Sequence, residues 1–135
     1  MQENKQSSCD ERIDSHLKSR LDDLKNLWSD YVNDESEHVN ELGELHEYGL
    51  SLDYHENNNE VGYMRFQLFW GGPSDEFRFY LNATQGCYSI EYAFQDWFDG
   101  ATRIITGEDR DFLMQIFEMW QECEIISHAL ENYEE

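Results

Sequence analysis

GYMRFQLFWGGPSDEFRFYL, residues 62–81, is the stretch on which the fold turns. Before the glycines, Met64, Phe66, Leu68 and Trp70 alternate with Tyr63, Arg65, Gln67 and Phe69; after them, Phe77, Phe79 and Leu81 alternate with Glu76, Arg78 and Tyr80. A period of two sends successive side chains to opposite faces of a strand, so the stretch predicts two strands, each with one apolar face. The GGPS between them admits a second reading, a ligand-cradling loop. A phosphate loop needs glycines that run into a helix N-terminus, usually with a Lys followed by Ser or Thr. Here the glycines run into strand-period sequence, and Asp75 and Glu76 follow, which repel an anion. Ser74 sits in GPSDE rather than GxSxG with no helix after it, so it is not a nucleophile elbow. The stretch reads as a four-residue hairpin loop, with glycine supplying unusual backbone angles and Pro73 fixing one.

Working outward, Leu50, Leu52 and Tyr54 alternate with Ser51, Asp53 and His55, a further strand ahead of the polar loop ENNNEVG. YSIEYAFQDW places Tyr88, Ile90, Tyr92 and Phe94 on one strand face, and the Asp99-Gly100 pair predicts a turn into a last short run, ATRII. Helices bracket these strands. Ile13, Leu17, Leu21, Leu24 and Trp28 recur at three- and four-residue steps, one stripe of an amphipathic helix. A closing helix carries Phe112, Ile116, Trp120, Cys123, Ile126 and Leu130, with Thr106 placed to cap its free amides. DESEHVNELGELHEYG predicts a short helix with Val39, Leu42 and Leu45 inward. The expected fold class is α+β: a mainly antiparallel sheet of four or five strands, because the connections are too short for crossovers, flanked by N- and C-terminal helices. One domain spans residues 1–135, with residues 1–9 expected as a flexible tail.

Thirty acidic residues against nine basic ones give a formal charge of −21 on 135 residues, while aromatic residues make up 15% of the chain. That aromatic share separates it from disordered acidic chains. Three widely spaced cysteines, Cys9, Cys87 and Cys123, suggest neither a disulfide framework nor a zinc knuckle, and point to a reducing cytoplasm. No apolar leader opens MQENKQSSCDER, and no run is long enough to span a membrane, so a cytoplasmic location is expected.

Other chemistry-bearing side chains have plain structural roles to fill. Arg65, Arg78 and Glu91 fall on one sheet face if the strands pair in chain order, and read as a cross-strand charge ladder. His38, His46 and His55 match no metal-binding spacing, and Asp96 and Asp99 serve a strand end and a turn as readily as acid–base chemistry. The cations of the first helix, Arg12, Lys18, Arg20 and Lys25, alternate with Asp14, Asp22 and Asp23 and read as ordinary solvated surface. None of this calls for an enzyme or a cofactor. The acids are unevenly spread, since no Lys or Arg occurs between Lys25 and Arg65 or after Arg110. Uncompensated charge of this size repels itself, so a folded chain that keeps it gains solubility or a basic partner. The residues assigned to partner binding are Asp34, Glu35, Glu37, Glu41, Glu44 and Glu47, with Glu118 and Glu122 as a second patch.

YGLSLDY (48–54), GYMRFQLFWGGPSDEFRFY (62–80) and FQDWFDGA (94–101) resemble a family of small acidic proteins of plasmids, phages and other mobile elements. Charge and size resemble, more loosely, antirestriction and acidic anti-CRISPR proteins of the DNA-mimic type. The resemblance implies an inhibitor without catalytic residues that occupies the basic nucleic-acid groove of a defence complex, a CRISPR effector or a restriction enzyme. Direct binding to nucleic acid or membrane is not expected, and assembly as a homodimer is left open. The alternatives are an immunity-type antidote to a basic toxin nuclease and, further off, a small metal-dependent hydrolase.

Overall fold

A computed structural model of the chain describes residues 8–32, 51–57, 60–69, 73–96 and 99–133. The alternating stretches become five strands: β1 (Ser51–Asn57), β2 (Glu60–Phe69), β3 (Pro73–Leu81), β4 (Cys87–Asp96) and β5 (Asp99–Ile104). They pair antiparallel in chain order, β1-β2-β3-β4-β5, as short connections require. Three helices complete an α+β fold: α1 (Cys9–Val32), α2 (Gly107–Glu122) and α3 (Ile125–Tyr133).

The inward set is the one the period of two selects. Met64, Phe66 and Leu68 of β2, Phe77, Phe79 and Leu81 of β3, and Ile90, Tyr92 and Phe94 of β4 are buried in a single core with Ile13, Leu21, Leu24 and Leu27 of α1. Trp120 of α2 meets Phe66 and Phe79 edge-on at 5.5 and 5.1 Å, a favoured aromatic geometry. α1 lies against β4 and β5, while α3 reaches β1, so the helices share one face of the sheet.

Local departures from the regular pattern have physical causes. Between Tyr80↔Ser89 and Leu81↔Cys87 the β4 side advances two residues while β3 advances one, so Tyr88 is the extra residue of a bulge. It is 59% exposed instead of facing the core as the alternation predicts. The expected Asp99-Gly100 turn is also corrected: both residues belong to β5, Asp99 pairs with Asp96, and the connection falls on residues 97–98, outside the described residues. Gly62 of β2 sits so close to β1 that an added Cβ would lie 1.7 Å from the His55 carbonyl oxygen, which only glycine avoids.

The helix ends differ from expectation as well. Cys9, expected in a flexible tail, opens α1 and is buried. The reason is a reciprocal cap: the Ser8 amide donates to Glu11 Oε1 (3.0 Å), and the Glu11 amide donates to Ser8 Oγ (3.2 Å). Thr106 makes no side-chain cap, because Gly107 follows at φ 67°, away from the helical geometry that capping needs. The single closing helix is divided: Cys123 ends α2 exposed to solvent, and Glu124 takes a left-handed φ of 63° before α3 begins. The short helix predicted around Val39 and Leu42, and the Gly71-Gly72 step of the hairpin, lie outside the described residues.

Candidate interaction surface

The distribution of cations defines what the surface can do. Among the described residues, every Lys and Arg except Arg110 pairs with a carboxylate of the same chain. Arg12 holds the buried Asp96 at 2.9 Å. Arg20 grips the buried Asp75 through Nε (2.7 Å) and a terminal nitrogen (3.0 Å), the fork geometry that favours arginine over lysine. Tyr92, across the same cluster, donates its hydroxyl to Asp75 Oδ2 at 2.5 Å. Burial pushes the Tyr92 hydroxyl well above its ordinary range, the bond to Asp75 and that carboxylate's charge add to it, and Arg20 partly offsets both. These contacts correct the reading of α1's cations as ordinary solvated surface for Arg12 and Arg20, which bolt the helix to the sheet, while Lys18 stays solvated beside Asp22. Lys25 reaches Asp109 of α2 at 2.8 Å, and Arg103 reaches Asp10 and Asp14 of α1 at 3.1 Å each. Arg110 instead donates to the Tyr88 carbonyl at 3.4 Å.

Asp75, the buried acid of this cluster, follows glycines and a proline that read as a loop. Its signal was present: it stands two residues before Phe77 and four before Phe79, in phase with the buried face. Asp96 and Asp99 are brought together as register partners, yet each is committed elsewhere. Asp99 accepts the Cys9 amide at 2.7 Å, and that bond holds its carboxyl below the usual carboxylate range.

On the sheet face away from the helices, Asp53, Arg65, Arg78 and Glu91 form one cross-strand row. The ladder differs from a simple alternation of sign, since Arg65 and Arg78 are direct partners with the acids outside them. Arg65 reaches Asp53 at 3.5 Å, and Arg78 reaches Glu76 at 2.6 Å and Glu91 at 3.6 Å. Burial opposes the Arg78 charge, but the bond and charge of Glu76 more than offset it and hold the guanidinium above its ordinary value. Beside this row the rings of His55, Tyr63, Tyr80 and Tyr88 follow one another at 5.6, 5.2 and 6.4 Å, the last brought in by the bulge. His55 lies 3.0 Å from Asp53, while His38 and His46 lie outside the described residues. Among the described residues no group of three His, Cys, Asp or Glu side chains gathers to hold a metal ion.

Among the described residues, several acids outside these pairs face solvent. Glu118 and Glu122 stand one turn apart on the outer face of α2, both exposed, with Glu108 and Asp111 exposed toward its start. The other residues assigned to partner binding, Asp34, Glu35, Glu37, Glu41, Glu44 and Glu47, lie outside the described residues. No described helix is long and apolar enough to cross a membrane. Set against protein-family models, curated proteins and solved structures, the chain matches none.

Proposed function

We propose that the chain is a non-enzymatic acidic inhibitor, acting in the host cytoplasm, that occupies the basic nucleic-acid groove of a defence complex of the CRISPR or restriction type. The observation that carries this reading is the internal use of the described cations: seven of them pair with carboxylates of the same chain, leaving Glu118, Glu122 and their neighbours uncompensated. Two carboxylates four residues apart on a helix stand about 6 Å apart along its axis. Proteins that hold duplex DNA meet about one phosphate per 1.7 Å of axis with Lys and Arg, and a rigid carboxylate row engages the same cations. A fold rather than a flexible acidic tail supports this, because preordered charges lose little entropy on binding.

The test is affinity capture with the full chain from cells that carry several defence systems, followed by a nucleic-acid displacement assay on whatever is retained. The expected result is one basic nucleic-acid-binding complex that releases its nucleic acid as the chain is added. Capture of a toxin nuclease encoded beside the chain would favour the antidote reading instead.

A further inference from the structure

Tyr88 has the sequence phase of the core residues Ile90 and Tyr92, yet the bulge in β4 turns it out and leaves it 59% exposed. The bulge is pinned on both sides. Arg110 of α2 donates to the Tyr88 carbonyl at 3.4 Å, and the Cys87 thiol donates to the Ser89 carbonyl at 3.3 Å. The ring itself rests 6.4 Å from that of Tyr80, whose hydroxyl donates to Glu91 at 2.8 Å. Bulges re-aim side chains, and this one places a large ring in water under firm support.

The surroundings say what such a ring would meet. Ile104, the β5 register partner of Glu91, is also 59% exposed, so apolar surface lies around that carboxylate. The aromatic row already receives one guanidinium: Arg78 sits over the Tyr63 ring at 5.5 Å, and Tyr63 stands against Tyr80 at 5.2 Å. Tyr88 ends the row, and among the described residues no cation stands over it. Arg110 and Gln121, about three turns apart along one flank of α2, reach the Tyr88 and Gln85 carbonyls, which lays the helix beside the bulge. The exposed Glu118 and Glu122 stand next to Gln121 on that helix, so the ring borders the acidic face. Arg110 is the local exception in charge, and the exposed Glu108 and Asp111 beside it in the chain outweigh it.

We propose that Tyr88 anchors a basic protein partner by stacking on the flat face of one of its arginines. Guanidinium groups stack on aromatic faces, whereas the lysine ammonium is a compact and strongly hydrated charge. The negative charge along α2 draws cations of either kind, and the ring then discriminates between them. Interface energy concentrates in a few aromatic and arginine residues that pair across the contact, which is the role assigned to Tyr88. The pinned bulge holds the ring in place before the partner arrives, so little side-chain freedom is lost on binding. The inference rests on the reading that the chain binds a basic protein, and it names the residue and the kind of cation through which that protein is gripped.

The test uses the full chain and two short peptides of equal length and charge, one alternating Arg with Ser and the other Lys with Ser, titrated at moderate salt. The expected result is tighter binding of the Arg–Ser peptide by about threefold or more. Tyr88→Leu, which removes the ring, removes that preference, and Tyr88→Phe, which keeps the ring face, retains it. Should Tyr88→Leu fail to fold, the ring proton signals of Tyr88 in the unaltered chain serve instead, shifting with the Arg–Ser peptide and staying in place with the Lys–Ser peptide. Equal affinity for the two peptides, a preference that survives in folded Tyr88→Leu, or Tyr88 signals that move alike with both peptides or with neither overturns the proposal. Equal binding lost on reversing Glu118 and Glu122 overturns the role of Tyr88 while keeping the acidic-surface reading, and no binding of either peptide overturns both.

Discussion

Arg20 of α1 and Asp75 of β3, 55 residues apart in the chain, meet through two hydrogen bonds of 2.7 and 3.0 Å over the helix-packed side of the sheet. The Asp75 side chain is only 3% exposed, so this pair, with the Tyr92 hydroxyl, is a buried polar network beside a largely apolar core. Removing one partner of a buried pair strands the other charge, which typically costs 3–5 kcal/mol. Arg20→Met should therefore destabilise the chain by about 3 kcal/mol in urea unfolding, at the lower end because Tyr92 still serves Asp75. Tyr92→Phe, which removes one bond to a charged acceptor, should cost about 1.5–3 kcal/mol. A loss below about half a kilocalorie for Arg20→Met would mean that the pair is solvated in solution.

The same cluster sets an alkaline limit. The Tyr92 hydroxyl is raised above its ordinary value of 10.0, so its contribution is complete below pH 10 and is lost as pH climbs toward its folded value. Cys87, pushed up by burial from 9.0 to about 11, acts in the same direction across that interval. On the acid side Asp99 is held below 3.8 by the Cys9 amide, so its contribution is present above 3.8 and fades as pH falls through the depressed value. Melting curves should show stability falling above about pH 9, where Cys87 begins to contribute less, with the gap between the wild type and Tyr92→Phe narrowing only above pH 10. Asp99→Asn should flatten the acid limb. A gap that stays constant to high pH would remove Tyr92 from the alkaline transition.

Backbone geometry gives a pair of opposite outcomes. Gly62→Ala places a Cβ 1.7 Å from the His55 carbonyl and should prevent normal pairing of β1 with β2, read as loss of cooperative unfolding. Glu124→Gly relieves a left-handed residue and should stabilise the fold by about 1 kcal/mol. Destabilisation by Glu124→Gly would indicate that its side chain contributes more than its backbone angle costs.

Much of this architecture was legible in the sequence. Alternation gave the strands and their inward faces because the sheet buries one side only, and a one-residue slip would expose Phe77, Phe79 and their neighbours together. Single-residue irregularities do not show in a periodic pattern. Tyr88 has the phase of Ile90 and Tyr92, and only the bulge opposite Leu81 turns it outward. The break at Cys123 and Glu124 was hidden because neither residue is Gly or Pro, and the inward stripe continues to Ile126 across it. Pairings such as Arg20 with Asp75 depend on how α1 lies on the sheet, which local sequence does not encode.

Net charge bears on stability as well as on binding. Glu118 and Glu122 stand one turn apart with like charge, and the chain as a whole carries −21. Raising salt from about 10 to 150 mM shortens the Debye length from roughly 30 to 8 Å and should raise the melting temperature of the isolated chain. An unchanged or falling value would mean that internal ion pairs outweigh the repulsion between exposed acids.

Competition for a captured target tests the role of the exposed carboxylates most directly. Labelled nucleic acid is bound to the target, and the chain is titrated in at two salt concentrations. The account predicts displacement by the unaltered chain, steeply weakened by salt, and weaker by about tenfold or more for Glu118→Lys with Glu122→Lys. Asp14 and Asp22 are unsuitable as neutral control positions, since they hold Arg103 and Lys18. Binding that leaves the nucleic acid in place, with an affinity indifferent to salt and to the two reversals, would contradict the account.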